Sequence, residues 1–362
     1  MSGRIRHLDA LRAFAMLFGL FVHAEGLFAT PPFPLVYLVS THFRMAAFFL
    51  VSGFFASLMA ARTSQGAMVR WRTLALMLPF CAVLAFVHPV TLWLVRVRND
   101  GAVPFAEFLS SEWVPTQLLH LWFLPALWAY VLLEPLLASV LGIPASRRLA
   151  RDAASWRPDA LICALAAGIG LATAALIGLA PLISRITGGT QDWMVQETLR
   201  YLPFFALGVA LRITPALFDR FHRVSAPALM AGIALSLVVD GPGSGLPSGA
   251  LTAMETFTRA ALTLPVVAAL LWICRALFSG PSGIVGALTE SIYTVYLFHY
   301  LALFAAALLL APVLESDAAL YFACVVSAFL TTFALHRLII ARAPLLRLIF
   351  NGRPPPARVT EA

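Results

Sequence analysis

Long apolar runs, separated by short polar segments, follow one another along almost the entire chain. Ten of these runs reach or approach the roughly 20 residues that an α-helix needs to cross a membrane. They cover residues 9–28, 43–61, 73–95, 117–141, 159–181, 199–211, 226–240, 257–278, 290–311 and 318–340. The pattern therefore predicts an all-α fold, a polytopic membrane helix bundle of about ten transmembrane helices, in which the sixth and seventh spans are the shortest.

The composition agrees with a membrane protein and indicates its orientation. The chain is 61% hydrophobic and only 12% charged, whereas soluble domains carry about 25% charged residues. All 25 basic residues are Arg; 18 fall in tails and loops on the N-terminal side of the predicted bundle, six fall on the opposite side, and Arg12 lies inside the first span. The positive-inside rule then predicts that both termini are cytoplasmic. Because this placement explains the formal charge of +8, no nucleic-acid partner is predicted.

The segments between the spans are too short to form a separate soluble domain. We predict one transmembrane domain over residues 1–345 and a cytoplasmic, Pro-rich tail over residues 346–362. The polar, Pro-rich end of that tail is typical of a disordered segment. The four Cys all fall inside apolar segments, so neither a disulfide framework nor a Cys-based metal site is predicted.

The first span carries two residues that are costly to place in lipid, Arg12 and His23. Eleven helical steps separate them, which is about 20° more than three full turns, so both side chains point from one face of the helix. The helical rise places them roughly 16 Å apart along the axis. Ionisable residues inside a membrane are functional-site hypotheses by default. The alternative is an Arg that reaches the interface and a His that is satisfied by a neighbouring helix.

Two more histidines are predicted at membrane depth together with His23. His120 opens the fourth span and His299 lies in the middle of the ninth. No two of the three have the i, i+3 or i, i+4 spacing that places two ligands together on one helix, so no metal site is predicted. A histidine that acts as a general base fits better, because its pKa near neutrality lets it accept and return a proton.

Five further polar or aromatic residues accompany these histidines and are predicted to bind substrate. Arg44 opens the second span on its outer side, and Ser52 and Gly53 lie within the same span. Gly53 permits close approach of either a helix or a ligand, and Ser52 binds either a ligand or a carbonyl of its own helix. Trp122 and Tyr296 are suited to a sugar-stacking wall, but an aromatic ring such as Trp122 also suits the membrane interface.

Six motifs in order along the chain resemble the acyltransferase-3 superfamily of membrane acyltransferases. They are LDALRAFAMLFGLFVH, HFRMAAFFLVSGFFA, HLWFL, QETLRYLPFFALG, SIYTVYLFHYLALF and APLLRLIFNGRPP. The resemblance implies ten spans with both termini inside, in agreement with the distribution of Arg. It also implies that Arg12 and His23 form the signature pair of the family. Residues implied in the pocket are Arg44, Ser52, Gly53, His120 and His299.

The resemblance further implies an O-acyltransferase of the bacterial inner membrane. Its expected reaction moves a succinyl group from cytoplasmic succinyl-CoA to hydroxyl groups of periplasmic glucan, with no permanently bound cofactor. An O-acetyltransferase that uses acetyl-CoA on another polysaccharide or glycan remains an alternative. From a different class, a proton-coupled solute transporter would also contain buried His and Arg residues, although no internal repeat supports that reading.

The positions of the polar residues suggest how such a transfer is arranged. Arg12 is placed to contact the phosphates of acyl-CoA by charge-assisted hydrogen bonds, and His23 is the expected general base on the acceptor hydroxyl. His120 or His299 would polarise the thioester carbonyl or hold the acceptor. Arg44 would pair with a succinyl carboxylate or bind the sugar.

Overall fold

The computed structural model describes residues 5–114, 117–187, 192–223, 227, 230 and 248–353, and all regular structure in these residues is helical. The α-helices are α1 (Arg6–Glu25), α2 (Pro34–Thr41), α3 (Arg44–Ala60), α4 (Gln65–Ala82), α5 (His88–Asp100), α6 (Phe105–Ser111), α7 (Phe123–Gly142), α8 (Pro144–Ser155), α9 (Pro158–Gly178), α10 (Ala180–Thr187), α11 (Asp192–Ile213), α12 (Pro215–Phe221), α13 (Ser248–Phe278), α14 (Gly283–Leu310), α15 (Asp317–Leu335) and α16 (Pro344–Asn351). A 3-10 turn covers Leu119–Trp122, and π-helical turns cover Val83–Val87 and His336–Ile340.

Seven helices in the described part of the chain are long and apolar enough to cross a membrane. They are Arg6–Glu25, Gln65–Asp100, Leu119–Gly142, Pro158–Ile186, Met254–Phe278, Gly283–Leu310 and Asp317–Ile340. Each coincides with a span predicted from the apolar pattern. The protein is therefore a polytopic membrane protein whose described residues form helices and no strands.

The other three predicted spans differ from these seven. The second coincides with α3, which has only 17 residues, about 25 Å of helix. The sixth coincides with α11, which passes the span criteria only together with α12, and that pair is bent by 118°. The seventh, residues 226–240, lies almost entirely outside the described residues. The count of about ten thus stays a prediction.

The chain divides into two compact units. Unit 1 contains residues 1–15, 41–68 and 129–285, and unit 2 contains residues 16–40, 69–128 and 286–362. In unit 1, helix α11 packs along α3 and α9, and α13 packs along α9. Its core includes an aromatic cluster of Phe49, Tyr130, Tyr201 and Phe205, with ring centroids 5.0–5.5 Å apart.

Two glycines let α3 and α11 approach each other closely within unit 1. A Cβ atom on Gly53 would lie 2.1 Å from the carbonyl oxygen of Phe205, and one on Gly208 would lie 1.9 Å from the carbonyl oxygen of Leu50. Each glycine therefore contacts the backbone of the partner helix, a common device in membrane helix pairs. Of the two alternatives predicted for Gly53, the structure shows the approach of a helix, α11, and a role of Gly53 in substrate binding stays a prediction.

Unit 2 contains the long apolar segment formed by α4 and α5, with a π-helical turn between them. Pro89 is the second residue after this turn. Because proline lacks an N–H and crowds the preceding turn, it disrupts the regular α-helical ladder. The adjacent His88 is buried, and its Nε2 lies 2.6 Å from the carbonyl oxygen of Gln117. That contact gives His88 a structural role within unit 2.

The last described helix, α16, packs against α14 in unit 2. The hydroxyl of Thr294 donates to Oδ1 of Asn351 at 3.0 Å and lies 2.8 Å from Nδ1 of His336. Phe298 and Phe350 stack edge to face at 5.2 Å. Helix α16 crosses the predicted boundary between residues 345 and 346, and residues 354–362 of the predicted tail lie outside the described residues.

Candidate active site

Three of the predicted site residues, His23, His120 and His299, meet within unit 2. The ring centroids of His120 and His299 are 4.7 Å apart, those of His23 and His299 5.2 Å, and those of His23 and His120 6.3 Å. The three come from α1, from the 3-10 turn and from α14, respectively. Elements far apart in sequence therefore place three imidazoles in one cluster.

The 3-10 turn that carries His120 is held in an uncommon backbone conformation. Leu119 has a φ of +46°, in the left-handed region that costs a residue with a side chain roughly 1–2 kcal/mol. The hydroxyl of Tyr296 donates to the carbonyl oxygen of His120 at 2.5 Å, and the amide of Leu121 donates to the carbonyl of Leu118 at 2.8 Å. These bonds hold the backbone of the turn that carries His120, and strained backbone of this kind clusters at functional sites.

A tyrosine, Tyr300, completes the cluster. The hydroxyl of Tyr300 lies 3.2 Å from Nδ1 of His23. Its ring is parallel to that of His120, with a centroid distance of 4.6 Å and an interplanar angle of 5°. The sequence places Tyr300 next to His299, as one of several aromatic rings suited to a sugar-stacking wall, and an aromatic residue in an apolar helix is ordinarily assigned to packing.

The two deeper histidines differ in their polar contacts. Nδ1 of His299 lies 2.6 Å from the carbonyl oxygen of Tyr296. Because a carbonyl can only accept, the neutral ring carries its proton on Nδ1 and presents Nε2 as an acceptor. Among the described residues, neither ring nitrogen of His120 has a hydrogen-bond partner of good geometry, although the carbonyl groups of Leu297 and Tyr296 face this ring. His120 therefore holds polar atoms in a place where an oxygen-bearing ligand would be favoured.

Burial separates the members of the cluster into an accessible edge and a deeper part. His120 is 6% exposed and His299 is 2% exposed, whereas His23 and Tyr300 are half-buried. A substrate that approaches the cluster would meet His23 and Tyr300 first. His23 is therefore the most accessible histidine of the cluster.

The two aromatic residues predicted to line the substrate site are both buried. Trp122 is 7% exposed, so its ring packs inside the protein, and both of its predicted roles stay predictions. Tyr296 is equally buried, packs on Phe123 at 4.4 Å and uses its hydroxyl on the carbonyl of His120. Within unit 2, Tyr296 therefore holds the turn beneath His120.

Four predicted site residues belong to unit 1. Arg12 lies 3.5 Å from Oδ1 of Asp9, and its guanidinium is 5.5 Å from the ring centre of Phe55. Ser52 is buried, and Gly53 contacts α11 as described above. Arg44 is the half-buried first residue of α3. Helix α1 is continuous between Arg12 and His23, as the predicted stripe requires.

Metal binding has no candidate in the part of the chain that the structure describes. No group of three or more His, Cys, Asp and Glu side chains there has an arrangement that could hold a metal ion. The described arrangement instead offers proton transfer, hydrogen-bond donation and hydrogen-bond acceptance.

Fold and site together define a polytopic membrane protein with a buried cluster of titratable groups suited to general acid–base chemistry. Residues 5–337 match the family model described as "Acyltransferase domain", and this match covers nearly the whole chain. The chain belongs to that acyltransferase family, and the protein is a membrane acyltransferase. The resemblance to this superfamily that the motifs indicated is confirmed.

Curated relatives similar to this chain carry the name "Glucans biosynthesis protein C". The protein from Salmonella typhimurium strain LT2 is 25% identical over 98% of this chain and 96% of its own length. The proteins from Salmonella paratyphi A strain ATCC 9150 and Salmonella dublin are 25% and 24% identical, each over 96% of this chain and 94% of the relative. No solved structure matches the chain.

Proposed function

We propose that the protein transfers a succinyl group from succinyl-CoA to hydroxyl groups of a periplasmic glucan, with His23 as the general base. The observation that carries the proposal is the cluster of His23, His120, His299 and Tyr300 in a chain of the acyltransferase family. Membership in an acyltransferase family favours acyl transfer over transport of a solute. The half-buried position of His23 supports its choice among the three histidines.

Arg12 is the proposed contact for the donor. It lies on the same uninterrupted helix as His23, and the helical rise gives about 16 Å between the two, similar to the reach of an extended pantetheine arm. The ion pair with Asp9 orients the guanidinium. A guanidinium has five N–H donors in a planar fork, a geometry suited to charge-assisted hydrogen bonds with the phosphates of acyl-CoA.

The transfer step is a direct attack on the thioester. His23 accepts the proton of an acceptor hydroxyl while the hydroxyl oxygen forms a bond to the thioester carbon. The resulting oxyanion collapses, the carbon–sulfur bond breaks, and the imidazolium of His23 gives its proton to the thiolate of CoA. A neutral histidine suits both halves of this cycle.

The two deeper histidines are given separate roles, where the sequence alone left both roles open to each. His120, whose ring nitrogens have no partner of good geometry among the described residues, donates to the oxygen that becomes negative in the transition state. His299, whose Nδ1 faces the carbonyl of Tyr296, presents Nε2 to accept from an acceptor hydroxyl. Their deep burial strengthens both interactions, because nearby charges are poorly screened there.

The glucan acceptor is proposed from the name of the relatives, and the succinyl group is supported by the positive charge of Arg44. The name of the relatives refers to biosynthesis of glucans. Arg44 lies at the start of α3 and is proposed to pair with the succinyl carboxylate or to bind the sugar. With ten spans, both termini in the cytoplasm and a location in the bacterial inner membrane, the donor would arrive from the cytoplasm and the acceptor from the periplasm.

The test is a transfer assay with the purified full chain in nanodiscs. The protein is incubated with succinyl-CoA or acetyl-CoA and a periplasmic glucan fraction, and free CoA and glucan mass are followed together. Release of CoA coupled to a succinyl mass gain on glucan is the expected result. An acetyl gain alone would replace the succinyl assignment by O-acetyl transfer, and absence of transfer from either donor by folded protein would contradict the proposal.

A further inference from the structure

Tyr300 is the one member of the cluster whose role the proposed reaction leaves unassigned. Its hydroxyl is 3.2 Å from Nδ1 of His23, on the side of the imidazole away from Nε2. For His23 to accept a proton at Nε2, the neutral ring must carry its own proton on Nδ1. A group that receives this Nδ1–H would hold the required tautomer and ring orientation.

We propose that Tyr300 is a positioning residue that accepts a hydrogen bond from Nδ1–H of His23 and so keeps Nε2 directed toward the acceptor hydroxyl. The inference deepens the proposed function and rests on it. Tyr300 plays the part that a carboxylate or carbonyl oxygen commonly plays beside a working histidine. A neutral phenol does this without adding a charge inside the membrane.

The ring of Tyr300 is itself held in place. It lies parallel to His120 at 4.6 Å and to Phe304 at 6.0 Å, with an interplanar angle of 20° in the second pair. Such stacking restricts rotation of the ring, so the hydroxyl stays near His23. One residue thereby links the accessible histidine to the deeper His120, which the proposal assigns to the thioester carbonyl.

The test separates the hydroxyl from the ring. Tyr300→Phe removes the hydrogen bond and keeps the stacking, and Tyr293→Phe is a matched control on the same helix, whose hydroxyl lies 3.3 Å from the carbonyl of Ala75. We expect Tyr300→Phe to lower kcat about tenfold, with KM for donor and acceptor unchanged, because one hydrogen bond is lost. Tyr293→Phe is expected to keep kcat. A Tyr300→Phe enzyme with wild-type kcat would overturn the proposal.

A second measurement reports the contact without needing turnover. Carbethoxylation of His23 by diethyl pyrocarbonate is followed by mass spectrometry of its peptide in the folded, full-length protein. We expect the rate at His23 to rise about threefold to tenfold in Tyr300→Phe, because Nδ1 of His23 loses its hydrogen bond to Tyr300, and to stay unchanged in Tyr293→Phe. An unchanged rate of carbethoxylation at His23 in Tyr300→Phe would contradict the proposed hydrogen bond between the two residues. If the wild-type protein transferred no acyl group, the proposed function would be contradicted. The carbethoxylation rates would still show whether the Tyr300 hydroxyl forms a hydrogen bond with His23.

Discussion

His23 differs from its two neighbouring histidines in accessibility and in its partner. His120 and His299 are buried at 6% and 2% exposure, whereas His23 is half-buried and faces the hydroxyl of Tyr300. At the scale of single residues, the proposed acid–base chemistry is divided among side chains that each make a different contact. Arg12 lies on the same helix as His23 and pairs with Asp9. It is the proposed contact for the donor.

Replacing Arg12 tests its proposed contact with the donor. Arg12→Ala is expected to raise KM for acyl-CoA about tenfold to a hundredfold, since a charge-assisted hydrogen bond contributes roughly 1.5–3 kcal/mol. KM for the acceptor should not change. Initial rates over a range of donor concentrations give both values.

Two further variants control for charge and for the ion pair. Arg12→Lys keeps the charge without the planar fork and should fall between wild type and Arg12→Ala. Asp9→Asn removes the ion pair that orients the guanidinium but keeps its positive charge, so donor KM should rise less than in Arg12→Ala. An unchanged donor KM in Arg12→Ala would remove Arg12 from the donor site.

Close packing between helices is the main feature at the scale of elements. In unit 1, Gly53 and Gly208 bring the backbones of α3 and α11 into contact. In unit 2, α14 carries His299, Tyr300, Tyr296 and Thr294, and it therefore serves both the histidine cluster and the attachment of α16. A shift of this helix would move both.

The Gly53 contact predicts a clear loss of stability in Gly53→Ala. The added methyl group would meet the carbonyl oxygen of Phe205 at 2.1 Å, and forced separation of packed elements typically costs about 1–3 kcal/mol. Thermal unfolding in detergent should therefore begin several degrees lower than in wild type.

Gly168 provides the matched control for that variant. It lies in α9 with no atom within 4 Å of a Cβ at that position. Gly168→Ala should leave the unfolding temperature unchanged or raise it slightly, because Ala favours the helix over Gly by about 1 kcal/mol. Equal stability of Gly53→Ala and wild type would contradict close helix packing at this position.

Sequence periodicity predicted the helices better than it predicted their contacts. Apolar runs located helices at nine of the ten predicted spans, and the His residues at membrane depth were recognised individually because lipid makes ionisable groups costly. The meeting of His23 with His120 and His299 depends on tertiary packing between distant segments. Tyr300 gave no comparable signal, since a tyrosine in an apolar helix has an ordinary packing role.

At the scale of the whole molecule, the distribution of charge predicts how the chain lies in the membrane. Eighteen Arg residues fall on the side of the predicted bundle that holds the termini, and six fall on the other. Seven described helices satisfy the criteria for a span, and α3 and the bent pair of α11 and α12 occupy two more predicted positions. The proposed transfer needs this orientation, because acyl-CoA is a cytoplasmic donor and the proposed acceptor is periplasmic.

Reporter fusions test that orientation. A green fluorescent protein fused after the last residue should fluoresce, and alkaline phosphatase at the same place should be inactive, because the positive-inside rule places this end in the cytoplasm. Alkaline phosphatase inserted after Gly101, an exposed residue between α5 and α6, should be active on the other side. An active phosphatase at the C-terminus would contradict the predicted topology.

The assignment of His23 as the general base is tested by comparing wild type, His23→Ala and His7→Ala in nanodiscs. The measurement is the transfer of a labelled acyl group from acyl-CoA to glucan. His7 lies on the same helix as His23 and stacks with Phe218 at 6.4 Å, so its replacement controls for changes in α1. We expect His23→Ala to slow transfer by at least about a hundredfold, the usual contribution of a general base, and His7→Ala to keep the wild-type rate. Wild-type transfer by folded His23→Ala protein would contradict the account.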